Sequence, residues 1–318
     1  MKAIQVQQLG GPEVLRFLDI EDRPLKAGEV RVRVTAIGVN FLDVYHRTGL
    51  YPVATPFVPG AEAAGVVEEL GPGVSSVDVG DRVVYSALGA YAEFAVVPEA
   101  RLVQLPPEID ERTAAAAFLQ GLTAHYLVNS TYPLKADEWI LVHAAAGGVG
   151  GLLVQMARSR GAHVIGTAST TKLDMVREAG ADLVIDYTAD DFVKPTLEAT
   201  NGQGVHVVYD SVGRTTFDGS LEVVRIRGML VAFGQSSGPI PPIDIFRLGK
   251  KGVFLTRPGF AHYTTEAEEL RWRASELFEA IRNGLKIRID RELPLKDAAE
   301  AHRLLEGRQT AGKILLIP

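Results

Sequence analysis

The stretch His143-Ala144-Ala145-Ala146-Gly147-Gly148-Val149-Gly150-Gly151 constrains this chain more than any other, because it is a glycine-rich turn between two segments of different periodicity. Before it, Trp139-Ile140-Leu141-Val142 is a short, branched apolar run, the composition of a strand buried on both faces of a parallel sheet. After it, Val149, Leu152, Leu153 and Met156 recur at i, i+3, i+4 and i+7, one apolar stripe of a helix, with Gln155, Arg158 and Arg160 largely off it. In a strand, glycine turn, helix sequence the glycines let backbone N–H groups approach a pyrophosphate, and the positive helix end receives its charge. In the G-x-G-x-x-G frame ending at Gly150 the middle glycine is Gly147, but Ala145 stands at the first position. A methyl group fits there if the residue keeps a negative φ. Ala145, Gly147, Gly148, Val149 and Gly150 are therefore candidate contacts to a dinucleotide. An isolated glycine cluster would read as a turn; the strand and helix around this one favour a nucleotide.

The rest of the chain supplies the setting. Strand candidates at 163–167, 183–186, 205–209 and 229–233 alternate with helix candidates at 171–179, 189–199 and 215–225. That alternation predicts an α/β fold, a doubly wound parallel sheet with its ligand at the carboxyl ends of the strands. From residue 1 to about 107 the pattern is instead short strands broken by Gly and Pro. Val30, Val32, Val34 and Ala36 alternate there with Glu29, Arg31, Arg33 and Thr35, a half-buried strand with one wet face. An alanine-rich helical stretch over 111–128 marks the crossing between the two patterns, and after Leu255 the strand-helix rhythm stops. A helix over 265–283 carries Glu266, Glu268, Glu269, Arg271, Arg273 and Glu279 as a solvated face. Residues 312–317 read as a closing strand that returns to the N-terminal unit, which would make that unit discontinuous.

Composition excludes several functions. A net charge of −6 over 318 residues argues against nucleic acid as a partner, since a phosphate backbone calls for a basic face. With no cysteine, thiolate catalysis, disulfides and cysteine-ligated zinc are absent. The seven histidines, His46, His125, His143, His163, His206, His262 and His302, show no metal-ligand spacing and read as structural or surface residues. No window approaches a membrane span and Met1–Val6 has no signal-peptide core, so a cytoplasmic enzyme is expected.

The nucleotide is narrowed at the second strand. An NAD site usually carries an acid about 20 residues past the glycines, where it binds the ribose 2′-OH. Here that stretch is Gly166-Thr167-Ala168-Ser169-Thr170-Thr171-Lys172, with no acid before Asp174. Hydroxyls and a lysine suit a 2′-phosphate, which favours NADP; Ser169, Thr170 and Thr171 would also serve as caps of the next helix. Tyr187, just past the third strand, stands where it could pack near the same phosphate.

These residues combine into a family pattern. Asp137-Glu138, Leu141, Ala145-Ala146-Gly147-Gly148-Val149-Gly150, Gln155 and Arg158 resemble, position by position, the signature of the quinone oxidoreductase/ζ-crystallin branch of the medium-chain dehydrogenases. The likeness extends to Gly10-Gly11-Pro12-Glu13-Val14-Leu15, Gly38-Val39-Asn40-Phe41-Leu42-Asp43, Asp210-Ser211-Val212-Gly213, Phe233-Gly234 and Thr256-Arg257-Pro258. It implies a GroES-like β-rich catalytic domain over 1–118 and 257–318, a Rossmann domain over 119–256, a cleft holding NADPH, and a homodimer. By the same resemblance Asn40, Tyr45 and Tyr51 line the substrate side near the nicotinamide, with Phe41 beside them. Lys172 and Tyr187 hold the adenosine phosphate, and Ser211, Phe233, Gly234, Ser236, Leu255 and Arg257 contact the rest of the cofactor. Tyr132 is a weaker match of the same kind. Zinc alcohol dehydrogenases carry G-H-E and a cysteine ligand where this chain has Pro59-Gly60-Ala61-Glu62, so no metal is expected.

The implied reaction is reduction of a quinone by hydride transfer from nicotinamide C4, with Asn40 and Tyr45 donating to the developing oxyanion and Tyr51 closing over the ring. Competing readings are an NADPH-dependent reductase of alkenals, enones or enoyl thioesters, and a noncatalytic NADPH-binding protein of structural or RNA-binding role.

Overall fold

The computed structural model describes residues 1–318. The chain divides into two compact units, Met1–Leu122 with Glu266–Pro318, and Thr123–Thr265. The first is here the split unit and the second the inserted unit.

In the split unit β1 (Lys2–Val6) and β2 (Leu15–Asp19) form an antiparallel pair. Then follow β3 (Glu29–Gly38), α1 (Phe41–Thr48), β4 (Ala63–Leu70), β5 (Arg82–Tyr85), β6 (Phe94–Pro98) and β7 (Leu102–Gln104). The chain passes to the inserted unit within α2 (Glu111–Tyr126). There it forms β8 (Trp139–Val142), α3 (Gly148–Ser159), β9 (His163–Ala168), α4 (Leu173–Glu178), β10 (Leu183–Asp186), α5 (Val193–Ala199) and β11 (Val205–Asp210). Next come α6 (Phe217–Val223), β12 (Val224–Ala232), α7 (Phe246–Gly249) and β13 (Phe254–Thr256). The split unit is completed by α8 (Ala267–Arg282), β14 (Ile289–Pro294), α9 (Ala298–Glu306) and β15 (Lys313–Ile317).

The sheet of the split unit runs β14-β15-β3-β4-β5-β7, with β6 also on β3. The expected closing strand is therefore real: β15 pairs antiparallel with β3, joining parts of the chain far apart in sequence. Val30, Val32, Val34, Ile37, Ile314 and Leu316 belong to its apolar core. The wet face expected for β3 is not uniformly wet. Arg31 is buried, its guanidinium held by Asp22 and Glu69, so its charge is paired rather than hydrated. A similar correction applies to α8, where Arg273 is buried instead of joining the solvated face; it pairs with Glu269 and lies 4.8 Å from the Trp272 ring.

The inserted unit has the sheet order β10-β9-β8-β11-β12-β13, with every neighbouring pair parallel. The chain runs outward from β8 to β10, then crosses to β11 on the other side of β8. That reversal is the switch point where doubly wound sheets bind ligands, at the carboxyl ends of the strands. The apolar run 140–142 is fully buried, as a strand covered on both faces must be. The boundaries differ most from the sequence reading at β12, which starts at Val224, not 229, while α6 stops at Val223; α5 starts at Val193, not 189. Arg227 takes a left-handed φ of 57° and the pairing with β11 shifts register, an irregularity that no two-residue alternation would reveal.

Candidate active site

At the carboxyl end of β8 the chain turns through residues 143–147 into α3. The left-handed residue of this turn is Ala144, with φ 50°; Ala145 is absent from the left-handed region and its methyl is buried. Ala145 N–H donates to Thr167 O at 2.9 Å, tying the turn to β9, and Gly147 N–H donates to Ala144 O at 2.9 Å. A Cβ on Gly150 would lie 2.3 Å from Ala144 O, so only glycine lets α3 start this close to the turn. The departure at Ala145 is balanced on β9: a Cβ on Gly166 would lie 2.9 Å from the Ala145 methyl, so the bare Gly166 provides its space. Gly166 thus belongs to this turn, though a glycine inside a strand offers neither charge nor side-chain donor by which the sequence could mark it.

The N-cap of α3 is Gly147, and no side chain caps the helix. Its first-turn N–H groups are thus left to a ligand rather than to a serine or aspartate.

Beside this turn lie the ends of β9 and β10. Their register sets Asp186 against Ala168, and Tyr187 N–H donates to Ala168 O at 3.1 Å, so Ser169 and Tyr187 leave the sheet side by side. Ser169 precedes a short helical turn, Thr170–Lys172, without a side-chain cap bond, so the expected capping hydroxyl is not used that way. An acid does stand at this edge, on β10: Asp186 accepts from the Thr170 hydroxyl at 2.5 Å, from Thr188 N–H at 2.9 Å and from its hydroxyl at 2.6 Å. Those bonds, the Thr170 hydroxyl first, hold its pKa below the usual carboxylate value. Asp186 therefore organises the loop, with its oxygens turned to threonines, while Ser169, Lys172 and Tyr187 stand around it.

The ends of β11 and β12 complete the edge. Asp210 is fully buried and accepts from Val212 N–H at 2.8 Å, Gly213 N–H at 3.0 Å and the Thr216 hydroxyl at 2.8 Å. Phe233 N–H and Gly234 N–H both point to Asp210 O, at 2.9 and 3.2 Å, and Ser236 N–H donates to Ser211 O at 3.2 Å. Ser211, Phe233, Gly234 and Ser236 are thereby gathered by main-chain bonds. Leu255 pairs with Leu230 in the last strand, and Arg257 donates to Ala232 O at 2.9 Å. Tyr132 is not brought to this edge. Its hydroxyl donates to Glu138 at 3.0 Å, immediately before the start of β8 and thus at the amino ends of the strands.

His143 has a structural part here, as expected for these histidines. It is buried at the end of β8, with Nδ1 3.1 Å from the Thr167 hydroxyl and Nε2 3.0 Å from the Ser220 hydroxyl. Burial pushes its pKa down against the opposing influence of Asp210, so a neutral ring bridges β9 and α6 beneath the turn.

The remaining expected residues lie in the split unit, on and after α1. Phe41, Tyr45 and Tyr51 form a half-buried aromatic group, with ring centroids 6.2 Å apart for Phe41 and Tyr45 and 5.2 Å for Tyr45 and Tyr51. Tyr51 N–H donates to Tyr45 O at 3.1 Å, which holds the loop against the helix. Asn40 is buried beneath them. Its two amide hydrogens go to Gly38 O at 3.0 Å and Glu62 Oε2 at 2.9 Å, and its Oδ1 accepts from Lys313 Nζ at 2.8 Å. Both donors of the Asn40 amide are engaged, so it has none for an oxyanion. Glu62 is itself fully buried, bound to Lys313 Nζ at 2.5 Å and to Leu119 N–H at 2.6 Å.

Residues 26–107 match the alcohol dehydrogenase GroES-like domain and residues 148–275 the zinc-binding dehydrogenase domain. The chain is 45% identical to a quinone oxidoreductase of Pseudomonas aeruginosa over 100% of this chain and 99% of that one. It is 42% identical to a 2-haloacrylate reductase of Burkholderia over 99% and 98% of the two chains. The crystal structure of Escherichia coli quinone oxidoreductase complexed with NADPH superposes with a TM-score of 0.98 at 43% identity, covering 100% of both chains.

Proposed function

The chain belongs to the quinone oxidoreductase branch of the medium-chain dehydrogenase/reductase family, and on that footing we propose that it reduces quinones with NADPH. The observation that carries the reading is the uncapped start of α3, approached closely at Gly150 and placed at the switch point of the sheet. Gly147 to Gly150 would hold the pyrophosphate, with the Ala145 methyl packed behind them against Gly166. Ser169, Lys172 and Tyr187 would hold the 2′-phosphate, with Ser211, Phe233, Gly234, Ser236, Leu255 and Arg257 along the remainder. When bound, the reduced nicotinamide supplies a hydride, which with one proton from solvent converts quinone to hydroquinone.

The protein's part is placement. The rings of Phe41, Tyr45 and Tyr51, tilted to one another by 39° and 56°, suit a quinone ring, since aromatic rings pack at centroid separations like those already present. Tyr45 donates to the developing oxyanion, while Asn40, whose amide is fully engaged, anchors the helix that carries Tyr45. No zinc takes part. NADPH oxidation with a panel of quinones tests the reading: turnover with quinones and a strong preference over NADH are expected. Lys172→Glu should reduce that preference about tenfold, as expected for loss of one charge-assisted phosphate contact of ~1.5 kcal/mol. Absence of turnover with every quinone would overturn the proposal.

A second reading has its own support, the likeness to a reductase of 2-haloacrylate. An activated alkene is another electron-poor acceptor for the same cofactor, and alkenals and haloacrylates belong in the same assay.

The protein acts as a homodimer joined through the inserted unit. β13 is the edge strand of its sheet, and Phe254, Ile226, Ile245 and Phe246 nearby are 60%, 68%, 72% and 83% exposed. An open edge beside exposed apolar side chains calls for cover. Phe254→Asp should yield a monomer in light scattering; a monomeric parent would refute the assignment.

A further inference from the structure

The proposed reaction leaves a set of buried polar groups in the split unit without a task, and they form one connected chain behind α1. The helix sets Asn40, Asp43 and Arg47 at i, i+3 and i+7 on one face, and Phe41 and Tyr45 at i and i+4 on another. The first face is the buried one: Asn40, Asp43 and Arg47 are 4%, 0% and 1% exposed. This helix turns its polar side inward, the reverse of the usual amphipathic arrangement. A polar face fixes direction, because hydrogen bonds weaken steeply when bent, whereas apolar burial is non-directional and tolerates slip.

The order of donors along the chain follows from chemistry. Arg47 holds Glu306 through two bonds of 2.8 and 3.0 Å, and its Nη1 lies 3.1 Å from His302 Nδ1. A guanidinium only donates, so Nδ1 accepts and the imidazole proton sits on Nε2. That proton is donated to the Tyr91 oxygen at 3.0 Å, and the Tyr91 hydroxyl donates to Asp43 Oδ2 at 3.0 Å. The same oxygen accepts Asn40 N–H at 2.8 Å, at the first turn of the helix. Burial first, and the neighbouring Arg47 second, keep His302 neutral with its pKa pushed down to about 3, so the donor order holds at ordinary pH.

We infer that Tyr91, linking His302 to Asp43, is a positioning residue for the reaction: it fixes the rotation of α1 and so the direction in which Tyr45 is presented. The inference rests on the role proposed above for Tyr45 in quinone reduction.

Tyr91→Phe tests it, since the ring packed edge-on to His302 at 5.8 Å is kept and only the hydroxyl is lost. The expected result is a kcat with 1,4-benzoquinone about tenfold lower, as small misplacement of a reacting group costs rate steeply. The KM for NADPH should stay within about twofold, because the residues assigned to the phosphates lie in the inserted unit. In a Tyr45→Phe background the same change should have no further effect, since both act on one group. His302→Gln offers a second route: the amide keeps an acceptor for Arg47 and a donor for Tyr91, so it should retain kcat where His302→Leu loses it. Full kcat in Tyr91→Phe, or a loss that multiplies undiminished with Tyr45→Phe, would overturn the inference and leave quinone reduction standing. A parent enzyme without quinone turnover would instead remove the proposed function itself.

Discussion

Both units bury acids, but they satisfy them in opposite ways. In the inserted unit Asp210 takes its partners from residues two, three, six and ten positions on, through main-chain N–H groups and hydroxyls. In the split unit Glu62 meets Lys313 across 251 positions, and Arg47 meets His302 and Glu306 across 255 and 259. Local satisfaction surrounds the acid with neutral donors from its own loop and the helix that follows. Long-range satisfaction leaves a set of ions whose mutual attraction joins the two segments of a discontinuous unit.

The largest effect should come from breaking that long-range pairing. Lys313→Met leaves Glu62 fully buried without its cation, and should cost about 4 kcal/mol in urea unfolding. Adding Glu62→Gln should recover much of this; a single variant as stable as the parent would show that the pair does not bind the segments.

The local network should be more forgiving. Asp210→Asn turns an amide donor toward groups that themselves donate and should cost about 2 kcal/mol. If it costs more than Lys313→Met, the contrast between the units fails.

The pH dependence sharpens the same comparison. Burial raises Asp43 to about 7, opposed by its bonds and by Lys313, so its contribution favours folding at low pH and is lost as pH rises from 3.8 towards 7. His302, lowered to about 3 from 6.5, has the opposite sign: its contribution is present above pH 6.5 and is lost as pH falls towards 3. From 6.5 to 3.8 the two largely offset each other. In Asp43→Asn the offset is gone, and stability should fall by about 2 kcal/mol between pH 7 and pH 5, where the parent changes less. Equal slopes in denaturation at the two pH values would count against these assignments.

The smallest effect is expected at the turn. Ala145→Gly removes a buried methyl packed against Gly166, and should cost about 1 kcal/mol while leaving the NADPH Kd within about twofold. A large loss of affinity would show that Ala145 shapes the cradle rather than fills space behind it.

The same contrast governs what could be read in the sequence. The inserted sheet was legible because each of its signals is local: the branched run at 139–142, the glycines, the apolar stripe from Val149, and strands such as Leu183–Asp186 recovered to the residue. The strand β15 was legible for the same reason, though its partner was not demonstrated by its own composition. Arg273 and Arg31 were misjudged as solvated, because charge patterning records the residue and not the carboxylate that accompanies it inside. Tyr91 carried no signal, and neither the motif containing Asp43 nor the strand containing Lys313 pointed to a buried partner. Their meaning depends on partners that only the folded chain brings within 3 Å.

The pairing of Glu62 with Lys313 has a consequence for the order of events during synthesis. Every residue of the inserted unit is translated after Glu62 and before Lys313. A ribosome therefore releases a complete nucleotide-binding sheet while the first segment of the other unit still holds its acid without a cation. Domains fold as units in order of emergence, so the insert is finished first, and the enclosing unit closes only when its last strand arrives. In the unfinished chain, Glu62 and Asn40 are still without the lysine that donates to both.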